Sequence, residues 1–232
     1  MIQEIELTLK EVIVETSDTK TLVFERPKDL EFEAGQFFAF EIECEKETLN
    51  RSYSTSSSPL DETIEFTVKE IPDGKCSRLL CCSKPGDKFK IKGPLGQFVL
   101  TEKEEKDVVF ICGGSGVSAF RGMLRYAFKK GMKNKFDLFY SVRLPDQIIF
   151  AKELKDMESK HDNFKMFITC TRIENEKWSG LRGRFSIELI KEKVGSLKGK
   201  VFYLCGGPEI VQTFEDALKK EGVEDIRKER FY

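Results

Sequence analysis

The chain has 232 residues, 40% of them hydrophobic and 34% charged, with 39 Lys and Arg against 40 Asp and Glu. That composition excludes general disorder and provides the core for one large domain or two modest ones; the net charge of −1 argues against bulk polyanion binding, so no nucleic-acid partner is expected. A single histidine, His161, lies in the polar run Lys160-His161-Asp162-Asn163, which excludes a His-rich metal site and reads as a solvated loop; no metal is expected.

From the N-terminus, Met1-Ile2-Gln3-Glu4-Ile5-Glu6 lacks the basic and apolar regions of a signal peptide. No apolar run approaches about 18 residues, so no membrane insertion is expected. Ile5, Leu7 and Leu9 alternate with polar residues, as do Ile64, Phe66 and Val68, and this period of two predicts strands. Pro72-Asp73-Gly74, Pro85-Gly86-Asp87 and Gly93-Pro94 break the pattern into short pieces, giving an antiparallel barrel or sandwich. A short helix fits 77–83, with Ser77 as its N-terminal cap.

The polar stretch Thr101-Glu102-Lys103-Glu104-Glu105-Lys106-Asp107 reads as a linker, which divides the chain into domains 1–100 and 101–232. The first holds 13 Lys and Arg against 19 Asp and Glu, a net of −6, and the second 26 against 21, a net of +5. Past Asp107, strands at 108–112, 136–142, 164–171 and 201–205 alternate with helices at 150–159, 185–193 and 208–221. Val117, Phe120, Leu124, Ala127 and Phe128 share one helical face. Alternation of this kind predicts a doubly wound, mostly parallel α/β sheet. The seven cysteines, Cys44, Cys76, Cys81, Cys82, Cys112, Cys170 and Cys205, contain no Cys-x-x-Cys and suit reduced thiols in a cytoplasmic protein.

Cys112-Gly113-Gly114-Ser115-Gly116-Val117-Ser118 joins a buried strand to an amphipathic helix. Glycines there let the backbone approach a pyrophosphate, and the helix start offers N–H donors and a partial positive charge. Cys205-Gly206-Gly207-Pro208 repeats the arrangement, so both turns are expected at one crevice along the carboxyl ends of the sheet. In the first half, Asn50-Arg51-Ser52-Tyr53-Ser54 and Gly74-Lys75-Cys76-Ser77 identify no ligand when read singly.

The ordered set of Arg51-Ser52-Tyr53-Ser54, Gly74-Lys75-Cys76-Ser77, Gly93-Pro94-Leu95-Gly96, Gly113-Gly114-Ser115-Gly116-Val117-Ser118-Ala119-Phe120-Arg121, Cys205-Gly206-Gly207-Pro208 and Glu229-Arg230-Phe231-Tyr232 resembles the ferredoxin–NADP reductase superfamily. The resemblance runs from about Gly35 to the terminus. It implies an N-terminal antiparallel Greek-key β-barrel that binds flavin and a C-terminal α/β domain that binds NAD(P). FAD is implied over FMN, since the Gly74-Lys75-Cys76-Ser77 loop matches one that holds a pyrophosphate.

By the same resemblance, Arg51 pairs with flavin phosphate oxygens, Tyr53 stacks on the isoalloxazine, Ser52 lies between them and Ser54 reaches toward flavin N5. Thr67, Val68 and Lys69 supply backbone contacts, and Phe231 or Tyr232 covers the second flavin face. Gly114, Ser115, Gly116, Gly206 and Gly207 meet the nicotinamide nucleotide, with Cys205 beside its ring as a shape-giving group and not a nucleophile, and with Glu229 positioning nicotinamide. Val142-Arg143 and Thr171-Arg172 stand where a 2′-phosphate is met, which favours NADP over NAD. Ala119 departs from the family's usual Pro, and Tyr232 is one residue beyond its Glu-x-aromatic ending.

The implied activity is hydride transfer between NAD(P)H and bound FAD, followed by single-electron transfer to a separate carrier such as ferredoxin, flavodoxin or an oxygenase component. No Cys-x4-Cys-x2-Cys run is present to hold an iron–sulfur cluster within the chain. The alternatives are an NAD(P)H:flavin reductase with diffusible flavin and a non-catalytic nucleotide-binding module. Oligomeric state is not legible.

Overall fold

The structure is a computed structural model describing residues 2–44, 47–173 and 178–231. In the first half, alternating residues build β1 (Gln3–Thr16), β2 (Thr19–Glu25), β3 (Phe37–Cys44), β4 (Glu47–Ser54), β5 (Thr63–Lys69) and β6 (Lys88–Leu95). They pair antiparallel in the order β4-β3-β6-β1-β2-β5, so β6 returns between β1 and β3 in a Greek-key crossing. The two ends of the sheet meet where Thr55 bridges Phe66 and the Ser56 amide donates to the Glu65 carbonyl at 2.8 Å, which closes a barrel.

The inward set is aromatic. Phe24, Phe38, Phe40 and Phe66 are fully buried, and Phe40 meets Phe66 edge-on at 4.8 Å. Burial of each ring contributes about 1.5–3 kcal/mol, which makes this cluster the main support of the barrel. Between β5 and β6 lies the helix α1 (Lys75–Cys81), two residues earlier than the expected 77–83. Its N-cap is Gly74, with no side-chain cap, so Ser77 is not the cap. Instead the Ser77 hydroxyl accepts from the Ile71 amide at 3.1 Å and donates to the Gly74 carbonyl at 3.3 Å, tying the loop to the helix.

The second half forms six parallel strands, β7 (Asp107–Gly113), β8 (Phe136–Val142), β9 (Phe164–Cys170), β10 (Leu181–Arg182), β11 (Lys200–Gly206) and β12 (Ile226–Arg230). Their order is β10-β9-β8-β7-β11-β12, so the winding reverses between β7 and β11. Among the described residues four α-helices complete this part of the chain: α2 (Val117–Lys129), α3 (Ala151–Lys160), α4 (Ile187–Val194) and α5 (Pro208–Lys220). Helix α4 starts two residues after the expected 185 because the Ser186 side chain caps it, accepting from the Leu189 amide. The edge strands β10 and β12 carry no apolar alternation and are absent from the sequence expectation; β12 reads Ile-Arg-Lys-Glu-Arg.

The chain divides into two compact units, 1–102 with 118–131 and 103–117 with 132–232. Within the first, α2 packs on the segment that follows β4. Gly122 has no room for a Cβ, which would stand 2.7 Å from the Ser57 carbonyl oxygen and 3.1 Å from that of Thr55. Within the second, Val109, Ile111, Phe202 and Leu204 of the sheet pack with Val211, Phe214 and Leu218 of α5.

Candidate functional site

In the first unit, β4 is an end strand of the sheet, and it carries Arg51, Ser52 and Tyr53. Arg51 is exposed, its guanidinium donating back to the Asn50 carbonyl at 2.8 Å. Tyr53 is half-buried, with its ring edge-on to Phe40 at 5.5 Å. Burial pushes its phenol well above the usual tyrosine range, and the neighbouring Cys76 and Cys81 add to the rise. Ser54 closes the strand and is buried.

Helix α1 comes to the same strand. Lys75 pairs with Glu47 of β4 at 3.1 Å, and Cys76 is close enough to Tyr53 to act on its ionisation. Gly74 is required here, since a Cβ would lie 2.6 Å from the Ser77 hydroxyl and 3.0 Å from the Ile71 carbonyl. An exposed guanidinium, a half-buried aromatic and a helix start without a side-chain cap form the donor set that a flavin diphosphate needs, so the residues fit that group. On β5, Val68 points into the barrel core and its carbonyl accepts the Cys81 thiol at 3.6 Å. The Thr67 hydroxyl is engaged with Thr21 and Ser56, and Lys69 pairs with Asp18 at 2.7 Å. The side chains of these three residues are thus committed within the barrel.

In the second unit, the two Gly turns leave adjacent strands at the point where the winding reverses. Cys112 of β7 pairs with Cys205 of β11, and the turns follow directly. Ligands of doubly wound sheets gather outside the carboxyl ends at such a point. A Cβ on Gly116 would run into the Cys205 carbonyl, and one on Gly206 would lie 3.1 Å from the Gly113 carbonyl oxygen. These glycines let the turns lie against each other. Gly114, at φ +56°, and Gly207 have open space where a side chain would start, leaving bare backbone. Gly207 is the N-cap of α5 and carries no side-chain cap, so first-turn amides face outward, as an anionic nucleotide needs. The residues fit a dinucleotide phosphate.

Around this point stand the other expected residues. Ser115 lies in the 3-10 turn Gly114–Gly116. Val142 is buried at the end of β8, and Arg143 beyond it is exposed. The Thr171 amide donates to the Val142 carbonyl and the Arg172 amide to that of Arg143, both at 2.9 Å, so the two arginines sit on neighbouring strand ends. Cys205 is fully buried, and burial, then the charge of Glu229, pushes its thiol well above the ordinary range. It is an uncharged packing group. Glu229 is half-buried on β12 opposite Cys205. The Phe231 amide donates to the Gly206 carbonyl at 2.9 Å, and Tyr232 lies outside the described residues.

Two features escaped the sequence reading. One is the pairing of Arg121 on α2 with Glu65 on β5, both buried. The other is Glu215 on α5, which gathers Lys219, Lys228 and Arg230 and is held down to about 2. Arg121 and Glu65 stand 56 positions apart, and Glu215 joins the i,i+4 partner Lys219 to Lys228 and Arg230 on the next strand, so no local motif marks either cluster. Among the described residues no helix is long and apolar enough to cross a membrane.

Comparison with known proteins adds family information. The model described as oxidoreductase FAD-binding domain matches residues 5–100, and that described as oxidoreductase NAD-binding domain matches residues 110–216. The glycine betaine monooxygenase reductase subunit of Chromohalobacter salexigens is 31% identical over 217 residues, covering 91% of this chain and 59% of that protein. The ferredoxin--NAD(P)(+) reductase component of the naphthalene 1,2-dioxygenase system of Pseudomonas putida is 28% identical, covering 94% and 66%. The chain thus spans about 60% of the length of the glycine betaine monooxygenase reductase subunits it matches. The crystal structure of a ferredoxin NADP+ reductase from Neisseria gonorrhoeae with bound FAD and NADP superposes with a TM-score of 0.86 at 26% identity, covering 99% of each chain.

Proposed function

Because the chain belongs to the ferredoxin–NADP reductase superfamily and carries its FAD-binding and NAD(P)-binding domains, we propose that it passes reducing equivalents from NAD(P)H through FAD to a separate electron carrier. The observation that carries the proposal is a pair of built cradles on one chain. One joins β4 to the start of α1, and the other lies at the winding reversal between β7 and β11. The carrier class we favour is an oxygenase component or its ferredoxin, supported by relatives that are reductase components of oxygenase systems. Flavodoxin is the further carrier of the same chemistry. The described cysteines are free thiols, Cys76, Cys81, Cys112, Cys170 and Cys205 buried and Cys82 exposed, which supports a reducing compartment, the cytoplasm.

When bound, FAD supplies the step from two-electron to one-electron chemistry, and the protein supplies binding and orientation. Arg51 holds flavin phosphate through its planar fork, with the amides of Lys75, Cys76 and Ser77 at the pyrophosphate, while the Gly74 amide is bound to the Ile71 carbonyl at 2.9 Å and shapes the turn. Tyr53 presents a neutral ring to the isoalloxazine, and Ser54 presents a hydroxyl to N5. Thr67, Val68 and Lys69 contribute backbone only, because the Thr67 and Lys69 side chains are engaged and that of Val68 is buried in the barrel core. Gly114, Ser115, Gly116, Gly206 and Gly207 offer backbone donors to the nucleotide, and Arg143 with Arg172 meets a 2′-phosphate. Cys205 gives the pocket its shape, Glu229 orients the nicotinamide amide, and Phe231 acts as the terminal aromatic.

The experiment is anaerobic titration of the purified protein. It should be yellow, retain FAD through gel filtration and bleach on addition of NADPH or NADH. A colourless protein that takes up no added flavin would refute the reading. Release of reduced flavin in place of a retained cofactor would instead mark a reductase of diffusible flavin.

A further inference from the structure

Directly after β4, Thr55, Ser56, Ser57 and Ser58 are each 0% exposed. Four consecutive polar residues reach that state only if their groups are satisfied within the protein. The Thr55 amide and hydroxyl both donate to the Gln36 carbonyl at 2.9 Å, and the Ser56 amide donates to Glu65 at 2.8 Å. The Ser57 hydroxyl accepts from the Glu65 amide at 3.0 Å, the Ser56 hydroxyl from Thr67 at 2.9 Å, and the Asp61 carboxylate from the Ser58 amide at 2.8 Å.

Helix α2 closes over this segment. Arg121 donates to the Ser56 carbonyl at 3.1 Å and pairs with the Glu65 carboxylate, both side chains being under one-tenth exposed. One turn on, Arg125 pairs with Asp61 at 2.9 Å, and Lys129 does so at 2.6 Å. Gly122 brings the helix backbone against the carbonyls of Thr55 and Ser57. A buried ion pair is a poor source of stability, since an apolar pair of the same shape often serves as well or better. What an arginine adds is a rigid fork that binds a carboxylate and a carbonyl at once.

We propose that Arg121, with Glu65 and Gly122, is a positioning device of the flavin site, holding segment 55–58 in one place and thereby fixing where Ser54 presents its hydroxyl. The proposal rests on the reading of Ser54 given above. Arg121 is buried on the Ser56 carbonyl and the Glu65 carboxylate and acts on Ser54 through the backbone.

The test uses the full chain loaded with FAD, with variants R121K, which keeps the charge and loses the fork, and G122A, which presses a methyl onto two carbonyls. The double variant R121M/E65L strands no charge and serves should either single variant fail to fold. Amide exchange at residues 55–58 and anaerobic flavin reduction by NADPH and NADH are both measured. FAD content and the KM for nucleotide should stay near the wild-type values. Exchange at 55–58 should accelerate, and flavin reduction should slow by about tenfold to a hundredfold, the loss ordinary for a sub-ångström to 1 Å misplacement. Exchange and reduction within twofold of wild type in the folded variants would overturn the proposal, as would a rate loss that merely tracks lost FAD. If the wild-type flavin is reduced by neither nucleotide, the functional reading fails while the exchange data still decide the clamp.

Discussion

Gly116→Ala is the substitution whose consequence the second unit states most directly. The added Cβ would lie 2.7 Å from the carbonyl carbon of Cys205 and 3.0 Å from the amide nitrogen of Gly206, against 3.4 Å or more for ordinary contact. These neighbours and the still nearer Cys205 carbonyl oxygen are all backbone, so no side-chain rotation relieves the clash, and the two turns must separate by roughly 1 Å. Overpacking of this kind costs about 1–3 kcal/mol of stability. The larger effect falls on the nucleotide, whose proposed donors are the amides of those same turns; kcat/KM for NAD(P)H should fall by about tenfold to a hundredfold. FAD content should be unchanged, because Arg51, Tyr53 and Gly74 belong to the other unit. Gly207→Ala is the counterpart, since its methyl meets nothing within 4 Å. It should leave the Tm of the nucleotide-free protein in place and still raise KM, by entering the space where the nucleotide lies. The assay is steady-state reduction of an artificial acceptor alongside thermal melting and flavin stoichiometry. Unchanged KM for both nucleotides in both variants would refute the assignment of this crevice.

Three further outcomes are expected. Tyr53→Ala should weaken FAD retention by about 1–3 kcal/mol, the range for base–aromatic stacking, and unchanged flavin content after gel filtration would count against the cradle on β4. Arg143→Ala combined with Arg172→Ala should raise KM for NADPH far more than for NADH, and equal effects would remove the 2′-phosphate role. Glu215→Gln should cost about 2–3 kcal/mol at neutral pH, given a carboxyl lowered to about 2 by its cationic partners. The folded-state pKa is depressed, so this stability is complete above the ordinary carboxylate range and fades as pH falls toward 2; the gap in Tm between wild type and variant should close over that window.

Much of the fold was readable because the signals were local. The run Val108-Val109-Phe110-Ile111-Cys112 could only be a strand buried on both faces, and it forms the centre of β7. Strand β8 spans the expected 136–142, since its apolar run ends abruptly at Arg143. The cap of α1 was misread because Ser77 has the chemistry of a cap, while the Ile71–Gly74 turn starts the helix two residues earlier. Strand β12 was missed because three of its five residues are Arg or Lys; parallel pairing with β11, not side-chain alternation, makes it a strand. The Gly turns were legible as turns, but their mutual contact was not. That Gly116 must be glycine because the Cys205 backbone lies against it follows only from the adjacency of β7 and β11. Arg121 lay in the open within the Gly113–Arg121 motif, yet its partner Glu65 stands 56 positions away.

The charge division between the halves needs a different reading once the pairs are known. A net of +5 across residues 101–232 suggested a basic domain suited to an anionic nucleotide. Many of those cations are already engaged. Lys219, Lys228 and Arg230 converge on Glu215, Lys200 pairs with Asp107 at 3.3 Å, and Arg227 reaches Glu104 at 2.8 Å. In the first unit, Arg121, Arg125 and Lys129 serve Glu65 and Asp61. Paired charges contribute little field beyond a Debye length of about 8 Å at physiological salt. The proposed anion site would therefore be set less by net charge than by uncapped backbone amides at the reversal of the sheet, to which the exposed Arg143 and Arg172 add cations at two strand ends. On this reading, removing the surface lysines of α5 should leave nucleotide KM near the wild-type value at physiological salt, whereas a single methyl at Gly116 should not.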